Sequence, residues 1–236
     1  MVKSLQNDCD LLIWITFAFM KGSLLHLINK ELLNEWRQRY AINGILLQVL
    51  SSVFVVYLAV KGLNQNTWNG VFWVVMLFIS INAIAKSFIG ESKGKNLYYH
   101  MLVQPQQLLL AKFIYNAALN ILLALLCIGA FILLMGNPIQ SFGLYLLITL
   151  LGCTGFAATF TMLSAIASKA GNSNLLMPVL SLPIIIPLLL IIIKSTKRAL
   201  DGLDSSLIYK DAGILLIFNV LIIALAYILF PSIWKE

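Results

Sequence analysis

Six apolar windows follow one another along the chain, near residues 42–62, 70–90, 107–135, 142–167, 175–193 and 212–231. Each approaches or exceeds the roughly 20 residues that a helix needs to cross a hydrocarbon layer about 30 Å thick. Lipid offers no hydrogen-bond partner to a backbone, and none of the windows alternates apolar with polar residues as a barrel strand does, so helices are expected. The composition agrees: at 61% hydrophobic and 11% charged over 236 residues, the chain holds more apolar surface than one soluble core could hide. The expected fold is an all-α integral membrane protein. Its six transmembrane helices follow an N-terminal amphipathic interfacial helix, with a short cytoplasmic segment between spans 2 and 3.

The bases orient this bundle. With the N-terminus in the cytoplasm, the inner side carries Lys3, Lys21, Lys30, Arg37, Arg39, Lys86, Lys93, Lys95, Lys112, Lys169 and Lys235. The outer side carries Lys61, Lys194, Lys197, Arg198 and Lys210, mostly in one loop, 194–211, where Asp201, Asp204 and Asp211 are interleaved. The excess of inner bases places both termini in the cytoplasm. The net charge of +7 is then matched by the anionic inner face of a membrane, and no basic stripe points to nucleic acid.

Residues 1–20 are set apart from a six-span domain at 21–236. The stretch LLIWITFAFM at 11–20 is too short to span and lacks the flanks of a signal peptide. Two readings stay open, an extension ahead of a start at Met20 or a short helix lying on the membrane. From residue 24, Leu24, Leu27, Ile28, Leu32 and Trp36 recur at helical spacing, with Lys30, Glu31, Asn34, Glu35, Arg37 and Arg39 between them. That pattern describes an interfacial helix. Trp36 and Tyr40 would sit at headgroup depth, with Arg37 and Arg39 holding the approach to the first span.

Catalytic patterns are sparse. GESKGKN at 90–96 imitates a phosphate loop but has too few residues between its glycines, and Asn96 stands where a hydroxyl is needed for magnesium. No zinc-protease or nucleophile-elbow motif occurs, and the chain has two histidines, His26 and His100, that read as surface polar residues more readily than as a haem-ligating pair. Cys127 and Cys153 fall in spans and read as small apolar core residues. An intramembrane enzyme would require a polar catalytic cluster, and the spans offer scattered amides instead.

Those amides, Gln48, Asn82, Asn116, Asn120 and Asn219, are expected to face the bundle because polar groups are costly in lipid. Asn116 and Asn120 are four apart on one helix face, suited to joining neighbouring helices or to lining a path. In the fourth window, Gly152, Gly155 and Thr159 lie on one side and Ala157, Thr161 and Ala165 on another, which permits close helix approach. The fifth window holds Pro178, Pro183 and Pro187, each of which removes a backbone donor, so a kinked span is expected there.

Three stretches together carry a resemblance: KELLNEWRQRYAINGILL at 30–47, QPQQLLLAK ending at Lys112, and the proline-bearing LPIIIPLLL at 182–190. Over roughly residues 22–231 the chain resembles haem exporter protein B (CcmB), the membrane subunit of the cytochrome c maturation ABC transporter. Where that family is often richer in proline, this chain has Gln104, Pro105, Gln106 and Gln107. The resemblance implies a six-span permease subunit of a multi-subunit complex in a bacterial inner membrane. Its partners would be a cytoplasmic ABC ATPase that holds the ATP, a haem-handling membrane protein and a periplasmic haem chaperone. The chain itself would bind no cofactor, and haem would be a transported or handled ligand. Export of a different lipid or peptide by the same architecture is the alternative.

A permease of this kind receives its signal through a short cytoplasmic segment seated in a groove of the ATPase. ESKGKNLYYHMLVQPQQ at 91–107 has the parts for that task. Glu91, Lys93 and Lys95 lead in, Asn96 caps a short helix, and Leu97, Tyr98, Tyr99, Met101 and Leu102 supply anchors. Gln104 and Pro105 then turn the chain back to the membrane. The competing reading is an interfacial loop whose tyrosines belong to the aromatic belt.

Overall fold

A computed structural model of the chain describes residues 39–60, 64–85, 105–169, 173–202 and 205–235. Within them are six helices: α1 (Arg39–Ala59), α2 (Gln65–Ile84), α3 (Pro105–Met135), α4 (Phe142–Lys169), α5 (Ser173–Leu200) and α6 (Ser205–Lys235). Five of these, α2 to α6, have a stretch long and apolar enough to cross a membrane. The apolar part of α1, Asn43–Ala59, is shorter than that threshold.

Local chemistry sets the helix ends. Asn64 caps α2, its side-chain oxygen accepting the Thr67 amide at 2.9 Å, so the helix begins ahead of the apolar window expected from residue 70. Pro105 opens α3 at a position where a helix needs no amide donor. The turn from α5 to α6 uses Gly202 at φ 66, a conformation that costs side-chain-bearing residues more than glycine. A Cβ on Gly202 would also fall 2.3 Å from Gln140 Oε1.

The expected outer loop at 194–211 is largely helical. Helix α5 runs beyond its apolar window to Leu200, and α6 resumes at Ser205. Ser195 and Thr196 donate to the Ile191 and Ile192 carbonyls, each at 2.7 Å, so these hydroxyls are satisfied inside the helix. Lys197 and Arg198 lie in the last turn, where cations offset the helix dipole. Arg198 is paired with Asp211 of α6. The polar run therefore extends a helix instead of ending it.

Packing centres on α4, which touches α2, α3, α5 and α6. Residues 155–161 of α4 are buried without a break, as no single amphipathic stripe would be. Two glycines allow the approach. A Cβ at Gly152 would come within 2.9 Å of the Trp73 ring and 3.0 Å of Ile192, and one at Gly155 within 2.7 Å of Asn219 Oδ1 and 3.1 Å of Leu188. The small residues expected to permit close contact therefore meet α2, α5 and α6. In contrast, α1 buries Val49 and Val53, one turn apart, and exposes Leu47, Leu50, Phe54, Val55 and Leu58.

Substituting Gly155→Ala is expected to destabilise the protein by about 1–3 kcal/mol, because the added methyl overpacks a rigid site and displaces Asn219. Gly129→Ala, where nothing lies within 4 Å, should leave stability unchanged or slightly raised. Reversible unfolding in mixed micelles of the two variants checks both outcomes.

Candidate functional site

The chemistry of the bundle lies in hydrogen bonds between helices and in the way α3 begins. Asn116 Nδ2 donates to Thr161 Oγ1 at 2.8 Å, joining α3 to α4. One turn further on, Asn120 Oδ1 accepts the Ser80 hydroxyl of α2 at 2.9 Å while its Nδ2 reaches the Cys153 carbonyl of α4 at 3.3 Å. Asn219 of α6 donates to the Leu151 carbonyl at 2.9 Å and to Thr154 Oγ1 at 3.0 Å. These amides face inward and join helices, which is the way polar side chains lower their cost in lipid. Gln48 is half-buried. Asn82 departs from expectation and is exposed: it lies in the last turn of α2, near the helix end, where an amide need not be buried.

A second seam was not anticipated from the sequence. Gln65, Asn69 and Trp73 recur every four residues on α2, and all three bond to α5. Gln65 Nε2 donates to the Leu200 carbonyl at 3.1 Å and also to Pro138 O at 2.8 Å. Asn69 Nδ2 donates to the Ile193 carbonyl at 3.0 Å, and Trp73 Nε1 to Thr196 Oγ1 at 3.0 Å. The four-residue spacing that singled out Asn116 and Asn120 is the signal that would have found this seam. Around it, Trp68, Phe72, Phe131 and Tyr145 pack ring to ring, with centroids 5.4–6.1 Å apart in the Trp68 contacts.

At the opposite end, the first turns of α3 are built into the bundle. Leu108, Leu109 and Ala111 form a buried cluster with Ala165 of α4 and with Ala226 and Phe230 of α6. Lys112, one of the inner-side bases, follows and is 1% exposed. A narrow apolar groove runs alongside, lined by Leu109, Phe113, Ala158, Met162 and Ile223.

Glu91, Lys93, Lys95, Asn96, Leu97, Tyr98, Tyr99, Met101, Leu102 and Gln104 lie outside the described residues, as do Glu31, Glu35, Trp36 and Arg37. Pro105 is the first residue of α3 and Arg39 the first of α1. Pro178, Pro183 and Pro187 all lie within the one continuous helix α5, and Pro183 and Pro187 are on its exposed face. Among the described residues there is no group of three or more His, Cys, Asp or Glu placed to hold a metal ion.

A bundle of apolar helices joined by neutral amides, with one polar segment leading directly into buried turns, suits a membrane subunit driven from outside itself. Residues 22–187 match the ABC-2 type transporter family. The chain belongs to that family. No curated protein matches it. As an ABC-2 membrane domain it is a multi-pass transport subunit, which pairs with a cytoplasmic ABC ATPase that hydrolyses the nucleotide.

Asn120→Ala removes contacts to two helices at once and is expected to cost about 1–2 kcal/mol, near the upper range for hydrogen bonds between membrane helices. Ser80→Ala should cost less, and the double variant should fall short of the sum because the two groups share a bond. A double-mutant cycle on unfolding free energies in mixed micelles reads the coupling.

Proposed function

We propose that this ABC-2 permease serves cytochrome c maturation in a bacterial inner membrane. In this reading α1 is the first of six spans, both termini are cytoplasmic, and Glu31, Glu35, Trp36, Arg37 and Arg39 belong to an interfacial helix before it. The cytoplasmic ATPase docks on 91–105 and works beside a haem-handling membrane protein and a periplasmic haem chaperone. ATP hydrolysis drives haem delivery or release of the haem-loaded chaperone. Haem is cargo of the complex and not a resident group of this chain.

The observation that carries the coupling is the burial of α3 from its first turns. Pro105 begins a helix whose Leu108, Leu109 and Ala111 are packed on α4 and α6, so a displacement of the start of α3 reaches the central helix. The maturation role is supported by the sequence resemblance around Lys112 and across 182–190. Helix α5 has a part in the same motion. Pro183 and Pro187 withhold the amides that would bond to the carbonyls of Val179 and Pro183, which softens that half. The seam from Gln65, Asn69 and Trp73 holds the other half between Ile193 and Leu200. The helix flexes about its anchored end.

Deleting the gene should abolish c-type cytochromes while leaving b-type cytochromes intact; normal c-type haem staining in the deletion strain would refute the assignment. Tyr98→Ala with Tyr99→Ala should weaken ATPase binding by about 2 kcal/mol or more, as loss of central aromatic anchors does, while the protein still inserts. Retention of the ATPase at the wild-type level in a salt-challenged pull-down would reduce these tyrosines to belt residues. Pro183→Ala with Pro187→Ala should slow coupled turnover in an intact complex. An unchanged ATPase rate and unchanged cytochrome c yield would make the prolines packing features.

A further inference from the structure

Beyond that reading, the face of α5 and α6 next to their connecting turn carries charge that the transport role does not use. Val179, Pro183, Ile186, Leu190, Lys194 and Lys197 are all exposed and recur every three or four residues, so they form one outward stripe on α5. From Val179 to Lys194 the stripe rises about 22 Å at 1.5 Å per residue, most of a hydrocarbon layer, and its cations arrive at the edge. On α6, which packs against α5, Lys210, Ile214 and Ile217 are exposed in the same order, polar near the turn and apolar away from it.

The neighbouring charges leave the lysines in excess. Arg198 is committed to Asp211 across the two helices, both side chains being largely buried at 22% and 13% exposure. Among the described residues Asp201 and Asp211 are the carboxylates at this end, against Lys194, Lys197, Arg198 and Lys210. Compensation of the helix dipole accounts for Lys197 in the last turn of α5. It does not account for Lys194, further from that end, or for Lys210, near the N-terminus of α6 where the dipole opposes a cation.

We propose that this face binds an anionic phospholipid. Lys194, Lys197 and Lys210 hold its phosphate, and its acyl chains follow Leu190 and Ile186 on α5 and Ile214 on α6. Lysines at a membrane surface attract anionic headgroups, and the long apolar stems of lysine let the ammonium reach them from the helix. A second copy of the chain is a poorer occupant. A two-fold contact through this stripe would set its lysines against themselves. The site requires that this end of the bundle lie at a membrane surface, in either orientation.

The test is native mass spectrometry of the full chain in detergent with added phosphatidylglycerol, with phosphatidylcholine of the same acyl chains, and with soluble glycerol phosphate. The wild type should retain one phosphatidylglycerol under activation that strips phosphatidylcholine. K194Q/K197Q/K210Q should lower that retention about tenfold or more, and the triple arginine variant should keep it. Unchanged helicity by circular dichroism confirms that the glutamine variant is folded; if it is not, the single variants K194Q and K210Q, each expected to lower retention, take its place. Equal retention by the glutamine variants overturns the site. An equal loss in the charge-matched K3Q/K21Q/K30Q overturns it too, in favour of bulk attraction. Displacement of the lipid by glycerol phosphate would make this a free-phosphate site, and a rise in dimer mass in the glutamine variant with lipid retention unchanged would make it a contact between copies; either result also rejects the proposal.

Discussion

Lipid supplies no hydrogen bonds, and α4 is where the chain meets that constraint most fully. A helix buried on nearly every side must bring its neighbours close and also give their polar groups somewhere to bond. Gly152 and Gly155 satisfy the first need by leaving room for Trp73, Ile192 and Leu188. The Leu151 and Cys153 carbonyls, with Thr154 and Thr161, satisfy the second by receiving Asn219, Asn120 and Asn116. Helices α2, α3, α5 and α6 are placed by how they reach α4. Helix α1, which packs on α2 and α3, keeps most of its surface for lipid.

The two ends of the bundle are held by different physics. Near the α5–α6 turn, directional bonds dominate: Gln65, Asn69 and Trp73 reach from α2 to α5, Ser141 N donates to the Ala199 carbonyl at 3.1 Å, and Arg198 pairs with Asp211. Near Pro105, Leu108, Leu109, Ala111, Ala165, Ala226 and Phe230 form a buried apolar cluster.

Much of the fold was legible because a helix in lipid advertises its length. The windows at 107–135 and 142–167 lie close to α3 and α4, since both sides of each are bounded by chain that cannot remain in hydrocarbon. The window at 175–193 understated α5, because hydropathy reads Lys194 to Arg198 as solvent-bound while Thr196, Ser195 and Arg198 are satisfied by bonds that a window cannot see. Asn116 and Asn120 were legible as a pair through their spacing, but not the choice between joining helices and lining a path. The burial of Lys112 was not legible, because a count of bases on each side says nothing of how deep a side chain lies.

The sequence by itself determined that the chain is a helical membrane protein, roughly where its apolar helices lie, and which residues are small or polar within them, because these follow from transfer energies and local spacing. Only the tertiary structure decided that α4 is the centre, that Gly155 makes room for Asn219, and that α2 is stitched to α5 by Gln65, Asn69 and Trp73. Those facts depend on which helix faces which, and apolar windows carry almost no such information. In lipid an outward leucine and an inward one cost nearly the same, so a few amides, glycines and one ion pair choose the neighbours.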